Sequence, residues 1–171
     1  MSTEIRTDRL ILRPVQPEDA GTITDLVNDP RIYRMVARIP AHQNVGQTLA
    51  WITSHEKDRK ANLKHPFAIT QHGELIGVTS GQREQATLPF NIGYWLSPNK
   101  WGKGFMTEAT DALIRWLKQQ GEKAFVSGYL QDNPASGRVL EKLDFMKADR
   151  SRVFCMGRGE IVDHVDMARI G

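Results

Sequence analysis

Among 171 residues the chain has a single cysteine, Cys155. No disulfide can close within it, so a reducing, cytoplasmic setting is expected. Long apolar runs are also lacking. Nothing approaches the ~18 residues of a membrane span, and the opening stretch from Met1 to Arg9 is polar and charged, unlike a secretion signal. No membrane partner is expected. The five histidines (His42, His55, His65, His72 and His164) are scattered, and none pairs with Cys155 or another histidine at zinc-ligand spacing, so no metal site is expected. Runs of five or six basic residues are absent, and the net charge is only +3. That argues against direct nucleic-acid binding. The mild basic excess suits an anionic ligand, a ribosome-like surface or an ordinary solvated surface equally. Internal repeats, low-complexity tracts and long Gly/Ser linkers are missing too.

What remains is a composition of 40% hydrophobic and 25% charged residues, that of a folded globular chain. Residues 1–171 therefore read as one domain. Arg9 to Val15 has strand character, with Pro14 suited to an edge. Pro17, Glu18 and Asp19 open a helix continued by Ala20, Ile23, Leu26 and Val27, and Asp29-Pro30 breaks it. A second helix runs from Val45 to about Lys60, with Val45, Leu49 and Ile52 expected on its inner face. Pro66–Gln71 and Glu74–Gln82 form a hairpin around His72-Gly73, and Phe90–Leu96 is the next strand. The clearest helix is Phe105–Gln119, where Phe105, Ala109, Ala112, Leu113, Trp116 and Leu117 make one apolar stripe and Gly121 stops it. Lys123–Leu130 is a strand. Pro134–Leu143 is a helix with Asn133 as its N-cap. Strands at Phe145–Phe154 and Glu160–Ala168 close an α/β (α+β) arrangement with a largely antiparallel sheet.

The most informative segment runs from Asn91 to Thr107, where a strand enters a short loop that opens the best helix. The first N–H groups of a helix have no internal partner and, with the helix dipole, form an anion site. Gly102 and Gly104 let a ligand come close and tolerate positive φ, while Lys100 and Lys103 add charge. A diphosphate suits this geometry, and so does an ordinary tight turn. Gly102-Lys103-Gly104 lacks the spacing of a P-loop, and Thr107 stands where a dinucleotide fingerprint needs glycine.

The segment resembles motif A of the GNAT acetyltransferases, Q/R-x-x-G-x-G/A, with Gly102 and Gly104 at both glycine positions and Asn99 where Gln or Arg is usual. The resemblance implies that backbone groups from Lys100 through Trp101, Lys103, Phe105, Met106 and Thr107 hold the pyrophosphate of acetyl-CoA. Backbone groups at Trp95 and Leu96 would hold its pantetheine arm and thioester carbonyl. A second stretch, from Asn133-Pro134-Ala135-Ser136 to Leu140-Glu141-Lys142-Leu143-Asp144-Phe145, resembles the family's N-x-x-[AS]-x-x-x-[YL]-E-K-x-G-F. A third, Thr7-Asp8-Arg9-Leu10-Ile11-Leu12-Arg13-Pro14, is similar to the opening of the branch that acetylates ribosomal-protein alanine and serine N-termini. The implied fold is a mixed, mostly antiparallel sheet of six to seven strands flanked by about four helices. The implied activity is acetyl transfer from acetyl-CoA to a primary amine by direct attack, with no metal, and a homodimer fits the family.

Acetyl transfer needs an amine base, donors for an oxyanion and an acid for the leaving thiolate. Many family members place a tyrosine acid where this chain has Leu140. Ser136, one turn earlier on the same helix face, takes that role in the ribosomal-protein branch; it also suits a hydroxyl bonded to nearby backbone. Asn133 suits a pantetheine contact, a helix cap, or both. Glu74, Glu84, Glu108, Glu160 and Asp163 are all conceivable bases. Relatives often carry a carboxylate near position 91, and Asn91 cannot take a proton, so a base acting through water is expected. That suits an α-amine, titrating near 7.7–8.0, better than a lysine near 10.4. Trp51, Tyr33, Met35 and Trp95 suit either an acceptor pocket or packing. A small-molecule amine acetyltransferase and a non-catalytic acetyl-CoA-binding module are the competing readings. Cys155, late in the chain and with no histidine in view as its base, is a poor covalent nucleophile.

Overall fold

The computed structural model describes residues 3–171 and arranges them around one eight-stranded sheet. Its strands are β1 (Ile5–Arg6), β2 (Ile11–Pro14), β3 (Lys64–Gln71), β4 (Glu74–Gln82), β5 (Phe90–Leu96), β6 (Ala124–Leu130), β7 (Met146–Cys155) and β8 (Glu160–Ile170). The helices are α1 (Ala20–Val27), α2 (Pro30–Tyr33), α3 (Val45–Lys60), α4 (Phe105–Gln119) and α5 (Pro134–Lys142). The strand order is β1-β2-β3-β4-β5-β6-β8-β7. Every neighbouring pair is antiparallel except β5 and β6.

The mixed, mostly antiparallel architecture agrees with the expectation, but there are eight strands and five helices. The additions are the smallest elements. β1 is two residues long, too short to show alternation. α2 is a single turn started by the dipeptide that stops α1: the Asp29 carboxylate accepts from the Arg31 N–H at 2.9 Å, and Pro30 occupies the first helical position. Pro14 pairs with Phe67 on β3, beyond the reach of β1, so its missing N–H costs no ladder bond. His72 and Gly73, at φ +51° and +80°, make the two-residue turn of the β3–β4 hairpin.

Helices cover both faces of the sheet. On one, Leu113, Ile114 and Leu117 of α4 pack with Phe90, Ile92 and Phe125. On the other, Ile23 and Val27 of α1 and Ile52 of α3 pack over Ala68 and Val78. Each such burial contributes about 1.5–3 kcal/mol. The inner face of α3 differs from the expectation. Ile52 is buried as expected, but Val45 and Leu49 are exposed, and Thr48 and His55 are buried in their place. A polar network moves the face by one residue: Thr48 Oγ1 lies 2.6 Å from Thr24 Oγ1 and accepts from Gln43 Nε2 at 2.6 Å.

One feature of the sheet positions the candidate site. β5 and β6 pair only at Phe90–Phe125 and Asn91–Val126. Both strands continue, to Leu96 and Leu130. They therefore diverge, and a wedge opens in the middle of the sheet. The Ser127 hydroxyl donates to the Ile92 carbonyl at 2.6 Å, replacing the next ladder bond.

Candidate active site

The loop between β5 and α4 lies at one end of the wedge. Gly102 and Gly104 both sit in the left-handed region, at φ +74° and +78°. A side chain at Gly102 would meet nothing within 4 Å, so its glycine is required by conformation and the space beside it is open. α4 begins at Phe105, and the first helical bond runs from the Glu108 N–H to the Gly104 carbonyl at 3.1 Å. The N–H groups of Phe105, Met106 and Thr107 are thereby free to receive an anion. The Phe105 side chain is buried and the Met106 side chain packs against the core, so only their backbone faces the loop.

Side chains brace this loop from several directions. The Trp101 indole donates to the Leu96 carbonyl at 2.8 Å, and the Lys100 ammonium donates to Gln71 Oε1 at 3.0 Å. Lys100 is thus turned toward β3, and Lys103 is the exposed lysine of the loop. Arg9 is the principal strut. Its Nη1 donates to the Lys103 carbonyl at 2.8 Å and its Nε to Glu108 Oε2 at 2.7 Å; its guanidinium lies over the Phe105 ring at 4.3 Å. Thr7 Oγ1 also donates to Glu108, at 2.6 Å. Partial burial would raise the Glu108 pKa, but these hydrogen bonds and the Arg9 charge outweigh it and hold the carboxylate below its usual range. Glu108 is a strut of the loop and not a base.

Ser136 and Tyr94 meet across the wedge. The Tyr94 hydroxyl donates to the Ser136 carbonyl at 2.9 Å and lies 2.9 Å from Ser136 Oγ. Burial pushes the phenol well up, only partly offset by its hydrogen bond to Ser136, so it remains a proton-bearing group at neutral pH. Ser136 is therefore bonded to another strand's hydroxyl instead of to its own helix terminus. Leu140, one turn on, is fully buried. Asn133 stands at the N-cap position of α5, but its side chain makes no cap; Nδ2 donates to the Met35 carbonyl at 3.2 Å and ties α5 to the segment after α2. By strand alternation the backbone groups of Tyr94 and Leu96 point the same way as the Ile92 carbonyl, into the wedge, and those of Trp95 point toward β4.

A cavity of about 1070 Å³ runs through the wedge and joins Ser136 and Tyr94 to the opposite face of the sheet. Met35, Trp51 and Trp95 line it there, together with Asn91 and Phe154. Tyr33 does not: its carbonyl instead lies where a Cβ on Gly157 would be, so the β7–β8 turn docks on α2 through a residue that must be glycine. Arg158 completes that docking, donating to the Arg34 carbonyl at 2.6 Å and pairing with Asp132 at 2.7 Å. Cys155 is buried, its Sγ 3.3 Å from the Val36 carbonyl, and lies outside the cavity. Glu74, Glu84, Glu160 and Asp163, named above as conceivable bases, are also outside it.

The cavity contains a group that composition and spacing did not reveal. His164 and Asp166 lie on the same face of β8, and His164 Nδ1 is 2.7 Å from Asp166 Oδ1. Ser151, opposite His164 on β7, donates to the same carboxylate oxygen at 2.9 Å. The Cε1 and Nε2 atoms of the imidazole occupy the space that a Cβ on Gly128 of β6 would need. Histidine spacing bears only on metal binding and does not single out this residue as a base. The legible signal was His164-x-Asp166 within a strand, a pattern that puts both side chains on one face.

The chain matches the family described as acetyltransferase (GNAT) domain over residues 9–146. It is 27% identical to the [Ribosomal protein uS5]-alanine N-acetyltransferase of Escherichia coli (strain K12), over 94% of this chain and 87% of that one. Among solved structures it is similar to RimL, a ribosomal L7/L12 alpha-N-protein acetyltransferase in complex with coenzyme A, at TM-score 0.87, 21% identity and 98% coverage of both chains. It is also similar to the microcin C7 self-immunity acetyltransferase MccE in complex with acetyl-CoA and AMP, at TM-score 0.84 and 22% identity, covering 96% of this chain and 94% of that one.

Proposed function

Because the chain belongs to the GNAT acetyltransferase domain family, and so takes acetyl-CoA as its co-substrate, we propose that it acetylates the α-amine of a protein N-terminus by direct attack. The observation that carries this reading is the wedge between β5 and β6, whose cavity runs from Ser136 and Tyr94 to Met35, Trp51 and Trp95 on the far face. The residues present fit the co-substrate. The free N–H groups of Phe105, Met106 and Thr107, with Arg9 and Lys103 nearby, suit a diphosphate. The backbone of Tyr94 and Leu96 suits an extended amide-bearing arm. Acetyl-CoA supplies the activated acetyl thioester. Ser136, held by Tyr94, then protonates the leaving sulfur.

Two features support an α-amine over a polycation. The charged side chains lining the cavity, among the described residues, are Arg38 and Asp166, with His164 beside them. A polyamine or aminoglycoside would call for several unpaired carboxylates, and the one present is already bonded to His164 and Ser151. The relatives named for ribosomal-protein N-termini point the same way. The test is a competition between a lysine-free peptide with an open N-terminus and its N-blocked counterpart carrying one lysine. We expect the open N-terminus to be acetylated at least tenfold faster in kcat/KM. Preference for the lysine peptide, or for a small polyamine over both, overturns the acceptor assignment.

A further inference from the structure

We propose that His164 is the general base that deprotonates the acceptor amine, and that Asp166 is its positioning residue; this rests on the acetyltransferase reading above. The geometry has three parts. First, His164 sits at the wedge. Its ring covers Gly128 of β6, the strand that diverges from β5, and it lines the cavity that also contains Ser136. Second, its tautomer is set. Asp166 Oδ1 lies 2.7 Å from Nδ1, so the proton sits on Nδ1 and Nε2 carries the lone pair. Among the described residues, Nε2 has no hydrogen-bond partner. Third, Asp166 is itself fixed, because Ser151 Oγ donates to the same oxygen at 2.9 Å. A base oriented by a carboxylate acceptor, with its other nitrogen unpaired and its ring lining the cavity that also contains Ser136, is the arrangement that proton abstraction requires.

The charged groups around His164 are few. From its own strand comes Asp166. From β7 come Ser151, which is uncharged, and Asp149, which stands opposite Asp166, is exposed, and accepts the Arg150 N–H at 2.8 Å. β6 presents Gly128 and Leu130. Arg38 is the cationic side chain lining the cavity.

The step balances as follows. The amine arrives as an ammonium, and one N–H proton passes to His164 Nε2 and on to solvent. The nitrogen lone pair forms the C–N bond to the acetyl carbon, and the C–S pair leaves with sulfur. The amine gives up a second proton as the sulfur gains one through Ser136. One proton is released per turnover, and nothing is oxidised or reduced.

The experiment follows free-thiol release with acetyl-CoA and a lysine-free, open N-terminus peptide. It compares the native protein with His164→Gln, His164→Ala and Asp166→Asn. At pH 7 we expect His164→Gln to lower kcat/KM by about 10²–10³-fold, with acetyl-CoA affinity by calorimetry changed less than threefold. The deficit should shrink below tenfold by about pH 9.5, where an α-amine is already neutral. Added imidazole should recover part of the rate of His164→Ala. In ¹⁵N spectra of the free enzyme, the resonances lost in His164→Gln should be those of an Nδ1–H tautomer, and Asp166→Asn should convert them to Nε2–H with at least a tenfold loss of rate. A native protein that acetylates the peptide while His164→Gln stays within threefold overturns the base assignment alone. An Nε2–H tautomer in the native protein overturns it independently of any rate, so a variant that fails to fold leaves the question decidable. A native protein with no activity toward any amine overturns the parent reading instead.

Discussion

Replacing Tyr94 with phenylalanine removes one oxygen atom and tests whether the Ser136 hydroxyl is held for chemistry. The phenol makes two contacts, to the Ser136 carbonyl and to Ser136 Oγ, both at 2.9 Å. The ring stays, so packing against the α4 core is kept. A net hydrogen bond contributes about 0.5–1.5 kcal/mol, and the carbonyl keeps its place in the α5 ladder, so the expected loss is about 1–2 kcal/mol. For a domain of this size that lowers Tm by about 2–8 °C, readable by calorimetry. The kinetic arm is sharper. Removing a positioned proton donor costs about 10²–10⁴-fold, so Ser136→Ala should lower kcat by at least about tenfold with acetyl-CoA affinity kept. Tyr94→Phe leaves the hydroxyl present but free to rotate, and should cost at least fivefold in kcat. The two groups act as one unit, so the double variant should be no slower than Ser136→Ala by more than about twofold. A Tyr94→Phe enzyme within twofold of native kcat, or a double variant whose losses multiply, would refute the reasoning and leave Tyr94 as a packing residue.

Two further outcomes follow from other parts of the molecule. Gly104→Glu puts a side chain at φ +78°, 3.4 Å from the Arg9 guanidinium, and a negative charge in the anion site; acetyl-CoA binding by calorimetry should be largely abolished while the circular dichroism of the folded chain persists, and unchanged affinity would sink the loop assignment. Burial holds His55 and His65 near pKa 4, against 6.5 when unfolded; between those values the unfolded chain binds more protons, so stability should be full above pH 6.5 and fall as pH drops toward 4, with His55→Leu flattening the Tm–pH curve.

The parts of the fold legible in the sequence were those with repeated, local signals. The stripe from Phe105 to Leu117 gave α4, and His72-Gly73 gave the hairpin, because each rests on neighbouring residues. The inner face of α3 was misjudged because the deciding partner of Thr48 is Thr24, on another helix. Asp144 illustrates a different limit. It closes α5 at φ +65°, where the family pattern has glycine, and nothing local shows that an aspartate will adopt that conformation. At the site, the glycine loop was visible because its function resides in backbone. Tyr94 and His164 were not, since their meaning depends on Ser136 and Asp166 being brought beside them. In the sequence Arg9 is legible only as part of an opening motif; its bonds to residues 103 and 108 supply a physical reason for that motif.

The two rims of the wedge have separate origins along the chain. One rim is a nearly continuous stretch from Tyr94 to Leu140, bearing the glycine loop, α4 and Ser136. The other is assembled from residues 35–51 and 148–168, clipped together by Gly157 and Arg158. The two are tied where the Asn133 Nδ2 donates to the Met35 carbonyl and where Asp132 pairs with Arg158. Side-chain changes at Met35, Trp51 and Phe154 would reshape the far end of the cavity without altering any residue of the glycine loop.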